Sequence, residues 1–420
     1  MELHKRDFLK AFGGIAALAT VGSASSLADQ HVGEEFALED FALEYLNNDD
    51  VLDNQELETL LQRLEDENPE FVTVDQIGES NQGRPLHSVS IVKDQTCPDV
   101  MAIGQQHGNE FFMAEGLLAV AQFLTSGDPR AERILDDRSV HLVPRVNPDG
   151  FVVPHRFNVD PDAPADDPES DIFGADTGIF AAEEEGVGWD INRYNRHEWT
   201  EHELYQNFPD EYPENPVPEA VAVHEMMADV NPEWIIDFHR MGSFMVDYET
   251  EWPGPEWARD DDEPDDDPEE AEEPEAFVPP DPDDPGDGFI GTGAMLWPLH
   301  EDVDPEIREL SQQLVITMRD ALIEPDNELR RVEYARYPGG TYAGIARNGH
   351  ALAGYGSVLF ELSGGTLGDR VFRARQAFEA MLAATDATVD GSLYNVDTDR
   401  VDELPETGNS PGNIEEGGME

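Results

Sequence analysis

Short apolar runs at 99–106, 139–146, 234–238 and 356–362 alternate along this chain with helical patterns at 111–124, 217–229, 305–324 and 370–384. This alternation is the strongest constraint on the fold. Strands separated by helices close into a mostly parallel or mixed sheet covered on both faces. An amphipathic helix over 54–68 and two strand-like runs in FVTVDQIGESNQGRPLHSVSIV come before them. The chain shows no internal repeat, and its 420 residues suffice for one large α/β domain or two small ones.

In such sheets, ligand sites form at the C-terminal ends of the strands. Four segments carry chemistry, three of them on such strands. AIGQQHGNE (102–110) sets His107 and Glu110 three apart between a strand and a helix. PEWIIDFHR (232–240) is an apolar run ending in His239. GWDINRYN (188–195) holds an Asp, an Asn and an Arg within four positions. GSVLFELSGG (356–365) places Glu361 inside an apolar strand, where a carboxylate is costly to bury unless it is paired or working. A fifth segment, PRVNPDGF (144–151), reads as a strand followed by a tight Pro-Asp-Gly turn. Two histidines and a carboxylate are ligands that zinc takes, with a fourth position left open for catalysis.

Acidic residues outnumber basic ones by 93 to 25, for a net charge of −68. The acids run along the whole chain and the only lysines are Lys5, Lys10 and Lys93. Such a surface repels itself unless salt screens it, which points to adaptation to molar salt, as in a halophilic archaeon. It argues against nucleic acid or an anionic membrane as partner. The single cysteine, Cys97, excludes an intrachain disulfide.

Residues 1–28 have a basic start, a short apolar Ala/Gly-rich run and small residues before Asp29. They read as a signal peptide rather than a membrane span. KRDFLK resembles the twin-arginine export motif, with Lys5 in place of the first Arg. The expectation is a secreted protein with no membrane span in the mature chain. Its catalytic domain is expected at 29–385, with solvated acidic insertions at 159–188 and 258–288 and a polar acidic tail at 386–420. LPETG (404–408) looks like a sortase signal, but no apolar span follows it.

As a set, the order H-x-x-E, NPDG, D-x-N-R, D-x-H, F-E resembles the zinc metallocarboxypeptidases of the carboxypeptidase A kind. The resemblance runs from about Glu56 to about Ala384, and IGESNQGRPL (77–86) is similar to that family's early strand–turn–strand. It implies an α/β fold with a mixed, mostly parallel eight-stranded sheet sandwiched by helices. It also implies one zinc per chain on His107, Glu110 and His239, with Asp190 orienting the first histidine. Asn192 and Arg193 match the pair that grips the substrate's terminal carboxylate, and Glu361 matches the general base. Arg156 matches the arginine that stabilises the oxyanion, with Arg145 as competitor. Tyr337 is the choice for the mobile tyrosine, with Tyr334 and Tyr342 nearby. The implied substrate is a peptide with a free C-terminal carboxylate. The short stretch before the first helix leaves no room for a globular pro-segment, so the enzyme is expected to be active on export.

HGNE also resembles the zinc acylases of the aspartoacylase kind, which would make N-acyl amino acids the substrate. Other relatives cleave cell-wall peptides. A non-catalytic binding protein on the same fold would have lost a ligand or the base, and neither is missing. His155, His197, His202 and His224 match no motif and are expected to support the site or lie at the surface. His300 and His350 are expected at the surface or at helix ends, and Trp252 and Trp257 as anchors of the second insertion.

Overall fold

The computed structural model describes residues 51–154, 156–159, 188–240, 292–324, 329, 333–336, 340–363 and 370–405. The expected signal peptide (1–28), residues 160–187 of the first expected insertion, the whole of the second (258–288), His155, Trp252, Trp257 and Tyr337 lie outside the described residues.

The chain enters through α1 (Asn54–Glu67), started by a reciprocal cap in which Asp53 accepts from the Glu56 N–H and Glu56 from the Asp53 N–H. Its buried face is Leu57, Leu60, Leu61 and Leu64, the spacing of one helical stripe. β1 (Val72–Glu79) and β2 (Pro85–Ile91) form an antiparallel pair at the sheet edge. There follow β3 (Asp99–Gly104), α2 (Met113–Leu124), α3 (Pro129–Leu135), β4 (Ser139–Val143) and a short α4 (Pro148–Val152). The second half adds α5 (Glu203–Asn207), α6 (Pro218–Val230), β5 (Trp234–Arg240), β6 (Thr292–Leu296), α7 (Pro305–Leu322), β7 (Glu333–Ala335), α8 (Ala346–Leu352), β8 (Gly356–Leu362) and α9 (Arg370–Asp390).

The eight strands run in the order β1-β2-β4-β3-β5-β8-β6-β7. Pairs β4–β3, β3–β5, β5–β8 and β6–β7 are parallel, while β1–β2, β2–β4 and β8–β6 are antiparallel. This is the expected mixed sheet between helices. The central strands β3, β4, β5 and β8 are almost wholly buried, because helices cover both of their faces.

Alternation divides the core in two. Val100, Ala102, Trp234, Ile236, Phe238, Val358 and Phe360 join one cluster with α1, α2, α7 and α9. Met101, Ile103, Val143 and Ile235 join a second cluster with α6 and the segment around Tyr194. On β5, period two places Asp237 and His239 opposite the first cluster, and on β8 it does the same for Glu361.

Three boundaries differ from expectation. The helix expected from 111 starts at Met113, because Phe112 takes a left-handed backbone (φ 86°). The expected Pro-Asp-Gly turn is the start of α4, with Asn147 Oδ1 accepting from the Gly150 N–H and Pro148 at its first position. The polar tail expected from 386 begins later. α9 continues to Asp390 because Thr385 and Thr388 return their hydroxyls to the Met381 and Ala384 carbonyls, and Trp234 Nε1–H donates to Thr388. Beyond it, Leu393, Val401 and Leu404 are buried against the first cluster.

Candidate metal centre

β3 ends at Gly104, and the chain turns sharply before α2. Two non-glycine residues with left-handed backbone, Gln105 (φ 59°) and Phe112 (φ 86°), bracket the His107–Glu110 turn. Such conformations cost on the order of 1 kcal/mol each and persist only when the surroundings impose them. α4 imposes part of it. A Cβ on Gly108 would lie 1.9 Å from the Gly150 carbonyl carbon, so only glycine fits there. Asn147 Nδ2 donates to the Gln106 carbonyl at 3.0 Å. Asp149, fully buried, accepts from Ser80 Oγ, the Gln82 N–H and Arg84 Nη1 at 2.6–2.8 Å. The NPDG motif is thus a buttress that joins the β1–β2 turn to the His107 turn.

His107, Glu110 and His239 converge, each offering a ligand atom within 4.8 Å of the others. Glu110 Oε1 lies 2.7 Å from His107 Nδ1, Glu110 Oε2 lies 3.2 Å from His239 Nδ1, and the two Nδ1 atoms are 3.1 Å apart. The far nitrogen of each ring meets a carboxylate. His107 Nε2 lies 3.2 Å from Asp190 Oδ1, and His239 Nε2 lies 2.8 Å from Asp237 Oδ2. Donation from each Nε2–H leaves both Nδ1 lone pairs and the Glu110 carboxylate facing one another. Three acceptors in so small a space require a positive charge between them. Burial alone would lower His239, but the charges and hydrogen bonds of Asp237 and Glu110 hold it well above the usual histidine range. Burial would raise Glu110, yet the charge and hydrogen bond of His107, and then those of His239, keep it below the ordinary carboxylate range. Two imidazoles and a carboxylate, each imidazole oriented by a further carboxylate, fit zinc.

Asp190 joins three groups. It accepts from Arg156 Nε at 3.0 Å on Oδ2, from the Asn192 N–H at 3.1 Å on Oδ1, and it faces His107. Burial would raise its carboxyl, but the charges of Arg156 and Arg193 and the contact with His107 hold it well below the usual range. Arg156 reaches it although 160–187 lie between them in sequence. Asn158 donates its N–H to the Trp189 carbonyl (3.0 Å) and accepts the Trp189 N–H on Oδ1 (2.6 Å), which joins the two ends of that segment. Asn192 gives Oδ1 to the N–H of Ala346 at 2.9 Å, and so caps α8, whose own preceding residue Ile345 supplies no side-chain cap. A Cβ on Gly344 would lie 1.9 Å from the Arg193 carbonyl oxygen, so the chain leading into α8 passes directly against that residue.

Glu361 on β8 is in register with His239 on β5. Its Oε2 is buried and has no hydrogen-bond partner among the described residues. Burial, then the Glu110 charge, push its carboxyl up to about 8, against the opposing pull of His239 and Arg156.

The other candidates separate cleanly. Arg145 is buried and holds Gln105 Oε1, Asn54 Oδ1 and the Leu52 carbonyl at 2.7–2.8 Å, with its guanidinium 3.6 Å from the Phe151 ring centre. It braces the turn from behind, and Arg156 is the arginine beside Asp190. Tyr334 is a core residue that donates to the Leu329 carbonyl. Tyr342 lies with its hydroxyl 3.0 Å from His202 Nε2, which in turn lies 3.0 Å from the Arg193 carbonyl. Tyr337 is outside the described residues. His202, expected to support the site or lie at the surface, is buried against the Arg193 carbonyl, and His350, expected at the surface or a helix end, is buried in the last turn of α8.

Asp237 and Gln106 were given no role by their sequence. Gln106 Nε2 donates to Asp237 Oδ2 at 2.6 Å, and its Oε1 accepts from Asn195 Nδ2 at 3.0 Å. The signal for Asp237 was the strand period, which puts it on the face of His239 two residues later.

A family model described as zinc carboxypeptidase matches residues 57–276. Carboxypeptidase E of Caenorhabditis elegans is 36% identical over 105 residues, 23% of this chain and 22% of that protein. Human carboxypeptidase Z is 45% identical over 60 residues, 13% of this chain and 9% of that protein. The matched stretches thus span under a quarter of these relatives. Among solved structures, the carboxypeptidase A from Helicoverpa armigera is similar with a TM-score of 0.53 and 18% identity, over 82% of this chain and 74% of that one. Thrombin activatable fibrinolysis inhibitor gives 0.51 and 15%, over 80% and 74%. These likenesses show a shared fold, and the family model covers more than half of the 420 residues: the chain belongs to the zinc carboxypeptidase family.

Proposed function

We propose that this chain is a zinc metallocarboxypeptidase that hydrolyses the C-terminal bond of peptides, with His107, Glu110 and His239 as ligands and Glu361 as general base. The observation that carries the reading is the buried, unpartnered Oε2 of Glu361, on the strand beside His239 and in register with it. When bound, zinc polarises the scissile carbonyl and acidifies the attacking water. Glu361 accepts the proton of that water and returns it to the leaving amine; its raised carboxyl suits it to both tasks near neutral pH. Arg156, its Nε on Asp190 and its side chain 40% exposed, is placed to donate to the oxygen that gains charge. Arg193 offers a guanidinium, which matches a carboxylate at two points. Asn192 keeps Oδ1 on α8 and presents amide donors to the same group. A grip on the terminal carboxylate restricts attack to the last peptide bond.

The acidic composition and the first 28 residues support an exported enzyme that works in molar salt. Among the described residues, no helix is long and apolar enough to cross a membrane.

The deciding experiment is incubation with a mixed peptide library in molar salt, with and without a zinc chelator, read by mass spectrometry. Products shortened stepwise from the C-terminus, lost on chelation and regained with zinc, are expected. Bound zinc without peptide cleavage, together with hydrolysis of N-acyl amino acids, would replace this reading with an acylase.

A further inference from the structure

A second group of histidines lies outside the centre described above. His197 follows the Ile191–Arg193 turn, His224 sits on α6 and His350 on α8. Each offers a ring nitrogen within 4.8 Å of the others. His197 Nε2 and His350 Nδ1 are 3.0 Å apart, nearly the 3.1 Å that separates the two Nδ1 atoms of His107 and His239. The His197 and His224 rings stack with centres 4.0 Å apart, and the His350 ring stands nearly perpendicular to both. His350 is fully buried, whereas His197 and His224 are partly exposed, so the group is reached from one side.

A hydrogen bond between His197 and His350 accounts for one pair of nitrogens. Among the described residues it leaves Nε2 of His224 and Nε2 of His350 buried with no hydrogen-bond partner, and one cation can take only one nitrogen of His350. A buried donor or acceptor without a partner is costly. Three uncharged imidazoles are also what a transition-metal cation takes, once His197 or His224 turns out of the stack so that both ring planes contain the metal. Burial pushes His197 down to about 4 and holds His224 and His350 well below the usual range, so protons do not compete for these nitrogens at neutral pH.

We propose that His197, His224 and His350 form a second metal site, which binds one divalent cation of the zinc, cobalt or nickel class. It shares no ligand with the His107–Glu110–His239 centre. The cation joins three separate segments of the chain. One of them carries Asn192 and Arg193 a few residues earlier, and another is α8, whose first N–H is held by Asn192. Gly349, next to His350, is pressed so closely to the Asn195 carbonyl that a Cβ there would lie 2.0 Å from its oxygen. Metal at this point therefore stiffens the turn that bears Asn192 and Arg193.

The test uses the full chain, stripped with chelator and held in molar salt to screen its surface carboxylates. It is titrated with cobalt(II), and bound metal is counted by mass spectrometry of the elements after desalting. Wild type is expected to hold two equivalents. His224→Asn and His197→Asn, at partly exposed positions that tolerate substitution, are each expected to hold one and to lose several degrees of metal-dependent thermal stabilisation. His107→Asn, which disrupts the other centre, is expected to keep the equivalent at His197, His224 and His350. Two equivalents in wild type and in both His197 and His224 variants would overturn the proposal. So would a single equivalent in wild type that His107→Asn removes. A single equivalent that His224→Asn removes would support this site and count against metal binding at the other.

Discussion

Glu361 on β8 is the register partner of His239 on β5, so the two side chains leave the same face of the sheet at adjacent strand ends. Their separation is set by parallel strand pairing rather than by a loop. A shift of β8 by one residue would turn Glu361 into the apolar layer beneath Phe238 and Phe360. β6, whose Ala294 pairs with Glu361 from the other side, holds that register.

Replacing Glu361 with Gln keeps the shape of the site and removes the proton acceptor. Zinc content is expected to stay unchanged while peptide turnover falls by about 10²–10⁴-fold. Elemental analysis and a peptide assay on the same sample check both halves, and a variant that retains most of its turnover would rule Glu361 out as the base.

Asp237→Asn addresses the second carboxylate behind a ligand. His239 Nε2–H and Gln106 Nε2–H would then meet a neutral amide oxygen in place of a carboxylate. Zinc affinity is expected to drop by about 10–100-fold, measured by competition with a chromophoric chelator. An unchanged affinity would mean that Asp237 only fills space.

Arg156 and Arg145 are expected to fail in different ways. Arg156→Ala should fold and bind zinc but lose about 10²–10³-fold in kcat, the usual effect of removing one oxyanion donor. Arg145→Ala removes three hydrogen bonds behind the His107 turn, so its main effect should be a lower melting temperature. Thermal melts and kinetics on the two variants, side by side, separate the roles.

Glu219 gives a pH signature. It is fully buried at the start of α6, where it accepts from the Asn81 N–H and from Asn158 Nδ2. Burial, partly offset by these hydrogen bonds, pushes its carboxyl up to about 7 from 4.5. The folded chain therefore keeps the proton that the unfolded chain releases near 4.5. Stability drawn from this group is full below that pH, falls as pH rises toward 7, and stays lost above it, by on the order of 3 kcal/mol. Compared with Glu219→Gln, wild type should lose ground between pH 4 and pH 8 in denaturant melts. A difference that does not change with pH would mean that Glu219 is ionised in the fold.

The residues gathered at the strand ends were legible because each sits in a short motif tied to a strand terminus. His107, Glu110, His239 and Glu361 belong to such motifs, and the parallel core brings those termini together, while Asp190 was legible from D-x-N-R on a 3-10 turn. Asp237 stands in the D-x-H motif, but its role was hidden because Gln106, which shares its carboxylate with His239, comes beside it only when β5 pairs with β3. β7 is three residues long and β6 five, too short for a period to register. α8 contains Asn348 and Gly349 and has no local side-chain cap, so nothing in ARNGHAL announced a helix; its cap is Asn192, 154 positions away in sequence. His350 read as a surface or helix-end group and does lie in the last turn of α8, while its burial follows from α8 packing onto Asn195. The sequence favoured Arg156 over Arg145, but the contact that sets Arg156 against Asp190 was not visible along the chain, since the pairing of Asn158 with Trp189 is what brings them together.

That pairing makes residues 158 and 189 a splice point. Whatever length of chain runs between them, the two ends leave and return at one place, and the cost of a longer excursion grows only with the logarithm of its length. A change in the length or charge of 160–187 thus leaves the guanidinium of Arg156 on the carboxylate of Asp190. A designer could graft a foreign peptide there, or excise the segment, on the same terms.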